Sequence, residues 1–273
     1  MVKDRTVLPI GVAALLVASM AWAQYGRGGG ARVSAHMARP DSFDGRFHYC
    51  RAAYRVNPNG DGGGWMTDYP GADVDLSIRL AELTKTPVSF DQAGDPNHLI
   101  VRLTDDTLFQ CPFIMMQEVG TLFFSQEDAG RLKTYLLKGG FLWVDDFWGS
   151  YAWNIWAAQI QKVFPPADFP IVDLPLDHPI FHTMFDVPGV PQIPSISHWY
   201  DSGGGTSERG ADSATVHART ISDAKGRVMV LMTHNTDVSD SWEREGEDKD
   251  YFYKFSVPGY QLAVNVIVYT MTH

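Results

Sequence analysis

Cysteine is nearly absent from this chain: 273 residues carry two, Cys50 and Cys111. Neither stands between elbow-type glycines, so neither reads as a nucleophile. Neither follows the N-terminal apolar run, which argues against a lipoprotein anchor. Positive charge is scarce too, with 22 Lys and Arg against 32 Asp and Glu and a net charge of −10. Without a basic patch, nucleic acid is argued against as a partner, and cationic or neutral ligands are weakly favoured. Long apolar runs are missing after the first two dozen residues, so no membrane span is expected beyond them. No repeat is visible, and the one biased tract is rich in Gly and Arg.

The opening segment is "MVKDRTVLPIGVAALLVASMAWAQ". A charged start with Lys3 and Arg5, an apolar middle and the small-x-small ending Ala21-Trp22-Ala23 read as a secretory signal peptide over residues 1–23. An uncleaved anchor is the alternative. The expectation is an exported protein, periplasmic or extracellular, with no membrane span once the signal is cleaved. The removed piece carries a net +1, leaving a mature chain of 250 residues near −11. Residues 24–45 read as a flexible Gly/Arg-rich arm, and 46–273 as a single α/β domain. In an exported chain the two cysteines could pair. Each lies in an apolar strand-like run, "FHYCRAAY" and "LFQCPFIMM", where a free buried cysteine acts as a small hydrophobe. The free state is the expectation and the disulfide the alternative.

Strand-like runs alternate with helix-like ones. "RFHYCRAAYRV", "HLIVRL", "PFIMMQ", "FLWV", "SATVHARTI" and "RVMVLMTH" read as strands. A helix is expected in "TDYPGADVDLSIRLAELTK", with Asp73 near its start and Leu76, Leu80 and Leu83 on one face. The clearest helix is "FSQEDAGRLKTYLLKGG". Ser125 is its N-cap, Leu132, Leu136 and Leu137 its stripe, and Gly139 its stop. "SYAWNIWAAQIQKVF" and the closing "VPGYQLAVNVIVYTMTH" are further helices. The proline-rich stretch 165–195 reads as a long surface connection. This alternation predicts a doubly wound α/β fold, a largely parallel sheet flanked by helices.

In such sheets, ligands gather beyond the carboxyl ends of the strands. There the sequence places Asp145 and Asp146, flanked by Trp143, Phe147 and Trp148. "THNTDVSDSW" ends another strand at His234, followed by Asn235, Asp237 and Asp240. Two acidic loops and an imidazole at one sheet edge suit a divalent metal. They also suit an acid/base pair, if burial raises one carboxylate. The plainer alternative is that the aspartates cap a helix and bind loop amides. No metal is assigned with confidence, the candidates being Asp145, Asp146, His234 and Asp237. No cofactor is predicted, a divalent metal remaining open.

The glycine-dense "GDGGGWMTDYPGAD" lacks both phosphate-loop spacings, and its Asp61, Asp68 and Asp73 would repel phosphate. It reads as a tight loop, or as a ligand loop with Asp68 and the stacking surfaces Trp65 and Tyr69. In "GGGTSERGADS", Glu208 and Arg209 could meet a polar ligand, exposed loop being the default. Histidines 98, 178, 182, 198 and 217 read as isolated, and "SWEREGEDKDYF" as a solvated, locally acidic segment.

"FSQEDAGRLKTYLLKGGFLWVDD", "DHPIF", "GRVMVLMTHNTD" and "NVIVY" occur in this order and resemble the domain-of-unknown-function family 4159. The resemblance covers the chain from about Phe47 onward. It implies a relative of the class I glutamine amidotransferase-like fold, a flavodoxin-like layout, and it supplies no activity. Enzymes of that fold carry a Cys on a sharp glycine-flanked turn, where this chain has Asp145 or Asp146. Glutamine amidotransferase chemistry is therefore rejected. The favoured expectation is a non-catalytic binding or accessory domain. Its polar and aromatic cleft would take a small-molecule, carbohydrate or peptide-like ligand through Trp65, Asp68, Trp148, Asn235, Asp237 and Arg209. The first rival is an exported hydrolase, metal-assisted, with Asp145 or Asp146 and His234 as ligand or base. The second is a structural partner of another envelope protein.

Overall fold

The "FLWV" strand lies at the centre of a seven-stranded sheet. In chain order the strands are β1 (Cys50–Ala53), β2 (Leu99–Arg102), β3 (Phe113–Gln117), β4 (Phe141–Asp145), β5 (Val172–Asp173), β6 (His217–Ser222) and β7 (Val228–His234). Their spatial order is β2-β1-β3-β4-β7-β6-β5. The first five of that order run parallel, while β6 and β5 are antiparallel to their neighbours. The computed structural model describes residues 35–273. The expected signal peptide, 1–23, and residues 24–34 of the expected arm lie outside the described residues. The remainder of that arm is packed: Met37 bridges to Ile100 at the sheet edge, and Pro40–Ser42 forms a short 3-10 turn.

Among the described residues, four long helices flank the sheet: α1 (Gly71–Leu83), α2 (Gln126–Leu137), α3 (Gly149–Ile160) and α4 (Val257–Thr272). Strand residues alternate between two cores, as a period of two requires. Tyr49, Phe113, Met115, Phe141, Trp143 and Leu231 pack with α1 and α4. Cys50, Ala52, Ile114, Met116, Leu142, Val144 and Met232 pack with α2 and α3 on the opposite face. Each large side chain so buried contributes roughly 1.5–3 kcal/mol. The Ser125 hydroxyl accepts from the Asp128 amide at 3.1 Å, and the Asp128 carboxylate accepts from the Ser125 amide at 2.9 Å. This reciprocal cap starts α2 where expected. The expected stripes reach one residue too far, because Leu83 and Leu137, at the helix ends, face solvent.

Two expectations are corrected. Cys50 and Cys111 are joined as a disulfide, Cα to Cα 6.2 Å. They lie at the start of β1 and just before β3, neighbouring strands whose starts meet on the α2/α3 side. The 165–195 stretch is more than surface: Ile180, Phe181, Val187 and Ile193 are buried in the α1/α4 core. Fully buried Asn265 on α4 fastens the part of this segment that follows β5. Its Oδ1 accepts from the Met184 and Phe185 amides, and its Nδ2 donates to the Phe185 carbonyl.

The chain runs from β1 outward to β2, then returns to place β3 on the other side of β1. The strand order therefore reverses between β1 and β3, the crevice where doubly wound sheets hold ligands.

Candidate functional site

Among the described residues, four non-glycine residues adopt left-handed backbone, and all four belong to this carboxyl edge. Glu118 (φ 53°), Asp146 (φ 53°) and Asn235 (φ 65°) are the first residues beyond β3, β4 and β7. Asp68 (φ 60°) lies in the loop that enters α1. Such a backbone costs on the order of 1 kcal/mol or more per residue, so each turn is held by its surroundings. The turns gather carboxylates. One oxygen each from Asp68, Asp146 and Asp237 lie within 4.8 Å of one another, and a second such group joins Asp68 to Asp240 and Glu243.

The neighbouring donors are few for so many acceptors. Gln117 Nε2 donates to Asp68 Oδ2 at 3.0 Å. The Ser239 hydroxyl stands 2.9, 3.1 and 3.3 Å from oxygens of Asp237, Asp68 and Asp145, with one hydrogen for three carboxylates. Trp148 Nε1 donates to Asp146 Oδ1 at 3.0 Å. Asp237 Oδ1 also accepts the Asp240 amide at 2.9 Å. The Glu118 carboxylate takes the Gly63 amide, and the glycine-rich loop closes over it: a Cβ on Gly62 would lie 1.6 Å from Glu118 Oε2. The glycines of residues 60–64 thus serve close packing around an acid.

The nearest deeply buried cation is already committed. Arg51 of β1 meets Asp73 of α1, its Nε 3.0 and 3.1 Å from the two carboxylate oxygens. Its Nη2 meets Asp73 again, and its Nη1 reaches the Trp65 and Thr67 carbonyls and Gln117 Oε1. Arg244 reaches Asp240 and Glu243 from the rim, at 3.3 and 2.9 Å. The cup therefore holds excess negative charge in a poorly solvated place, and its carboxyls shift upward. Burial pushes Asp68 to about 7, with the Glu243 charge adding to it. Burial likewise takes Glu118 to about 7 against the pull of the Gly63 and Gly64 amides. Asp146 is held well above the carboxylate range by burial, then by Glu118 and Asp68. Asp237 is raised in the same way, by burial and then by Asp146 and Asp68. An anionic cluster of this kind must bind protons or a cation.

Residues 51–271 match the family described as Domain of unknown function (DUF4159). The chain belongs to the DUF4159 family. A search of the curated proteins finds no match. Every carboxylate of the cup, from Asp68 to Glu243, falls inside the DUF4159 match, so the cup is part of the family domain.

Of the residues singled out by sequence, the DUF4159 fold brings Asp68, Asp146 and Asp237 together. Asp145 lies beside them as a fastener: Thr233 Oγ1 donates to its Oδ1 at 2.6 Å and the Ser239 amide to its Oδ2 at 3.1 Å. Burial still raises it to about 7. His234 does not join the cup. Its ring packs on Phe147, Trp153 and His217, and its Nε2 lies 3.1 Å from the Gly149 carbonyl. Burial first, then the charges of Arg219 and His217, lower it to about 4, so it is a neutral packing element. The Asn235 amide ties loops, accepting the Gly149 amide and donating to the Thr215 carbonyl. Arg209 pairs with Asp61 at 3.1 Å. Trp143, Trp148 and Trp242 are all buried, and Trp65 packs partly buried against the α2/α3 core. Buried Trp148 therefore offers no open stacking face, and the site is a carboxylate cup. A cavity of about 290 Å³ lies elsewhere, under Leu174, Phe181, Val190 and Ala218, and none of the cup's carboxylates lines it.

Sequence reasoning missed Glu118, Gln117, Ser239 and the Arg51–Asp73 pair. One signal was present: "QE" ends β3 as "DD" ends β4, polar pairs closing adjacent apolar strands. Arg51, alone among apolar neighbours in "YCRAAY", was a second.

Proposed function

We propose that this protein is an exported, non-catalytic binding domain whose carboxylate cup takes a divalent cation through Asp68, Asp146 and Asp237. The observation that carries this reading is the approach of three carboxylates within 4.8 Å of one another, with the buried Arg51 already engaged by Asp73. An all-oxygen donor set, without sulfur or imidazole, suits hard cations such as calcium, magnesium or manganese. The disulfide supports export, since such bonds persist in oxidising compartments.

The parallel strands, numbered among themselves, follow the order 2-1-3-4-5. That order supports a flavodoxin-like, class I glutamine amidotransferase-like layout, with Asp145 and Asp146 where that fold keeps its nucleophile. Binding is favoured over hydrolysis because Asp145 is saturated by Thr233 and Ser239, and His234 is wedged among aromatic rings. The test is thermal denaturation of the mature protein with and without each divalent ion, beside an Asp146→Asn/Asp237→Asn variant. A saturable rise in Tm, absent in the variant, is expected. Equal response of the two proteins refutes the site.

A further inference from the structure

At the far edge of the sheet, residues 36–38 run parallel to β2 as an added strap. The Ile100 amide donates to the His36 carbonyl, and the Ala38 amide to the Ile100 carbonyl, both at 2.8 Å. The strap covers an edge whose backbone groups would otherwise be open to pairing. It is fastened by side chains on one side. The His36 ring stacks on that of His98, with centroids 4.9 Å apart and planes 17° apart. The Tyr69 hydroxyl lies 3.1 Å from both the His36 amide and His98 Nε2.

We propose that this strap is an acid-released latch: protonation of the stacked His36–His98 pair detaches residues 36–38 and bares the edge of β2. His98 is buried, whereas His36 is exposed. With its Nδ1 3.3 Å from the Pro96 carbonyl, a neutral His98 leaves Nε2 to accept the Tyr69 hydroxyl, whose oxygen then accepts the His36 amide. A second proton on His98 removes that acceptor and sets two like charges face to face. The other charges facing the pair are the buried Arg51 and Asp73, which oppose each other beside His98, and Asp91, which faces His36. Burial and the neighbouring His36 lower the affinity of His98 for a proton in the closed form, with Asp73 opposing. Opening therefore takes up protons, and closure is complete above the ordinary histidine value of about 6.5 and weakens as pH falls below it.

Hydrogen exchange on the full chain, corrected for the intrinsic rate at each pH, tests the latch. The amides of Ala38 and Ile100 should lose protection below pH 6.5, by up to about tenfold per pH unit for each proton taken up, and regain it on neutralisation. Amides of the central β4 strand should hold. His36→Phe, at an exposed position, keeps the stack without the charge and should flatten the loss. Proton NMR of the wild-type His98 imidazole should place its titration in the same interval as the release. Unchanged protection of Ala38 and Ile100 down to pH 5 overturns the proposal, as does an acid loss of equal size in His36→Phe.

Discussion

Arg51 and Asp73 form an ion pair with both side chains all but closed to solvent, 1% and 0% exposed. The pair links β1 to the first turn of α1 at the strand-order reversal, and it uses up the charge that would otherwise neutralise the cup. Removing one partner strands the other in a poorly solvated place. Arg51→Leu should destabilise the fold by about 3–5 kcal/mol, read as a lowered denaturation midpoint in urea. A double replacement by apolar residues should recover part of that loss.

Gly62 sits at φ 128° with its missing Cβ inside the space of the Glu118 carboxylate. Gly62→Ala should push Glu118 out of the cup and loosen loop 60–64. The expected cost is on the order of 1–3 kcal/mol for the strained backbone. Gly45, also left-handed but with nothing nearby, is the matched control, carrying the backbone cost alone. Equal midpoints for the two variants would contradict the packing role.

Stability of the cation-free protein should fall as pH rises through 7. Asp68, Glu118 and Asp145 are raised to about 7 from ordinary values near 4. A carboxyl raised in the folded state favours folding below its unfolded value, and that contribution is lost as pH climbs through the folded one. His234, lowered to about 4, has the opposite sign. Its contribution is present above about 6.5 and lost as pH falls toward 4. Between pH 6 and 8 the carboxyls dominate, so the chelated protein should unfold more readily at pH 8 than at pH 6. A saturating divalent cation should reverse that slope. Denaturant midpoints across this interval, with and without chelator, give the comparison.

The Cys50–Cys111 bond closes a loop with a sequence separation of 61 residues. In the chain-entropy picture such a loop is worth about 4 kcal/mol. A Cys50→Ala/Cys111→Ala protein should lose about 2–4 kcal/mol while keeping its cation affinity, since both cysteines lie at the opposite ends of their strands from the cup. Loss of affinity at full folding would contradict that separation.

Much of the scaffold was legible in the residues. Alternation and caps located six of the seven sheet strands and the long helices, Ser125 and Gly139 bounding α2, and the double aspartate was found at the strand end that carries the cup. What stayed hidden depends on register between segments distant in sequence. Nothing local to Glu118 says that it meets Asp146 across adjacent strands. Nothing local to Cys50 and Cys111 says that their strands are neighbours. His234 misled for the same reason: it ends the right strand, but its ring packs against Phe147 and Trp153 instead of Asp146. Trp148 is closed to solvent because burial, not exposure, is the usual fate of a large ring beside a central strand.

The most direct measurement of the cation cup uses terbium, a luminescent stand-in for calcium at oxygen sites. Trp148 donates to Asp146 at 3.0 Å, so excitation of the indole should sensitise an ion held by that carboxylate. Saturable terbium emission, displaced by calcium and lost in Asp146→Asn/Asp237→Asn, is expected. Emission no stronger from the wild-type protein than from the variant would contradict it.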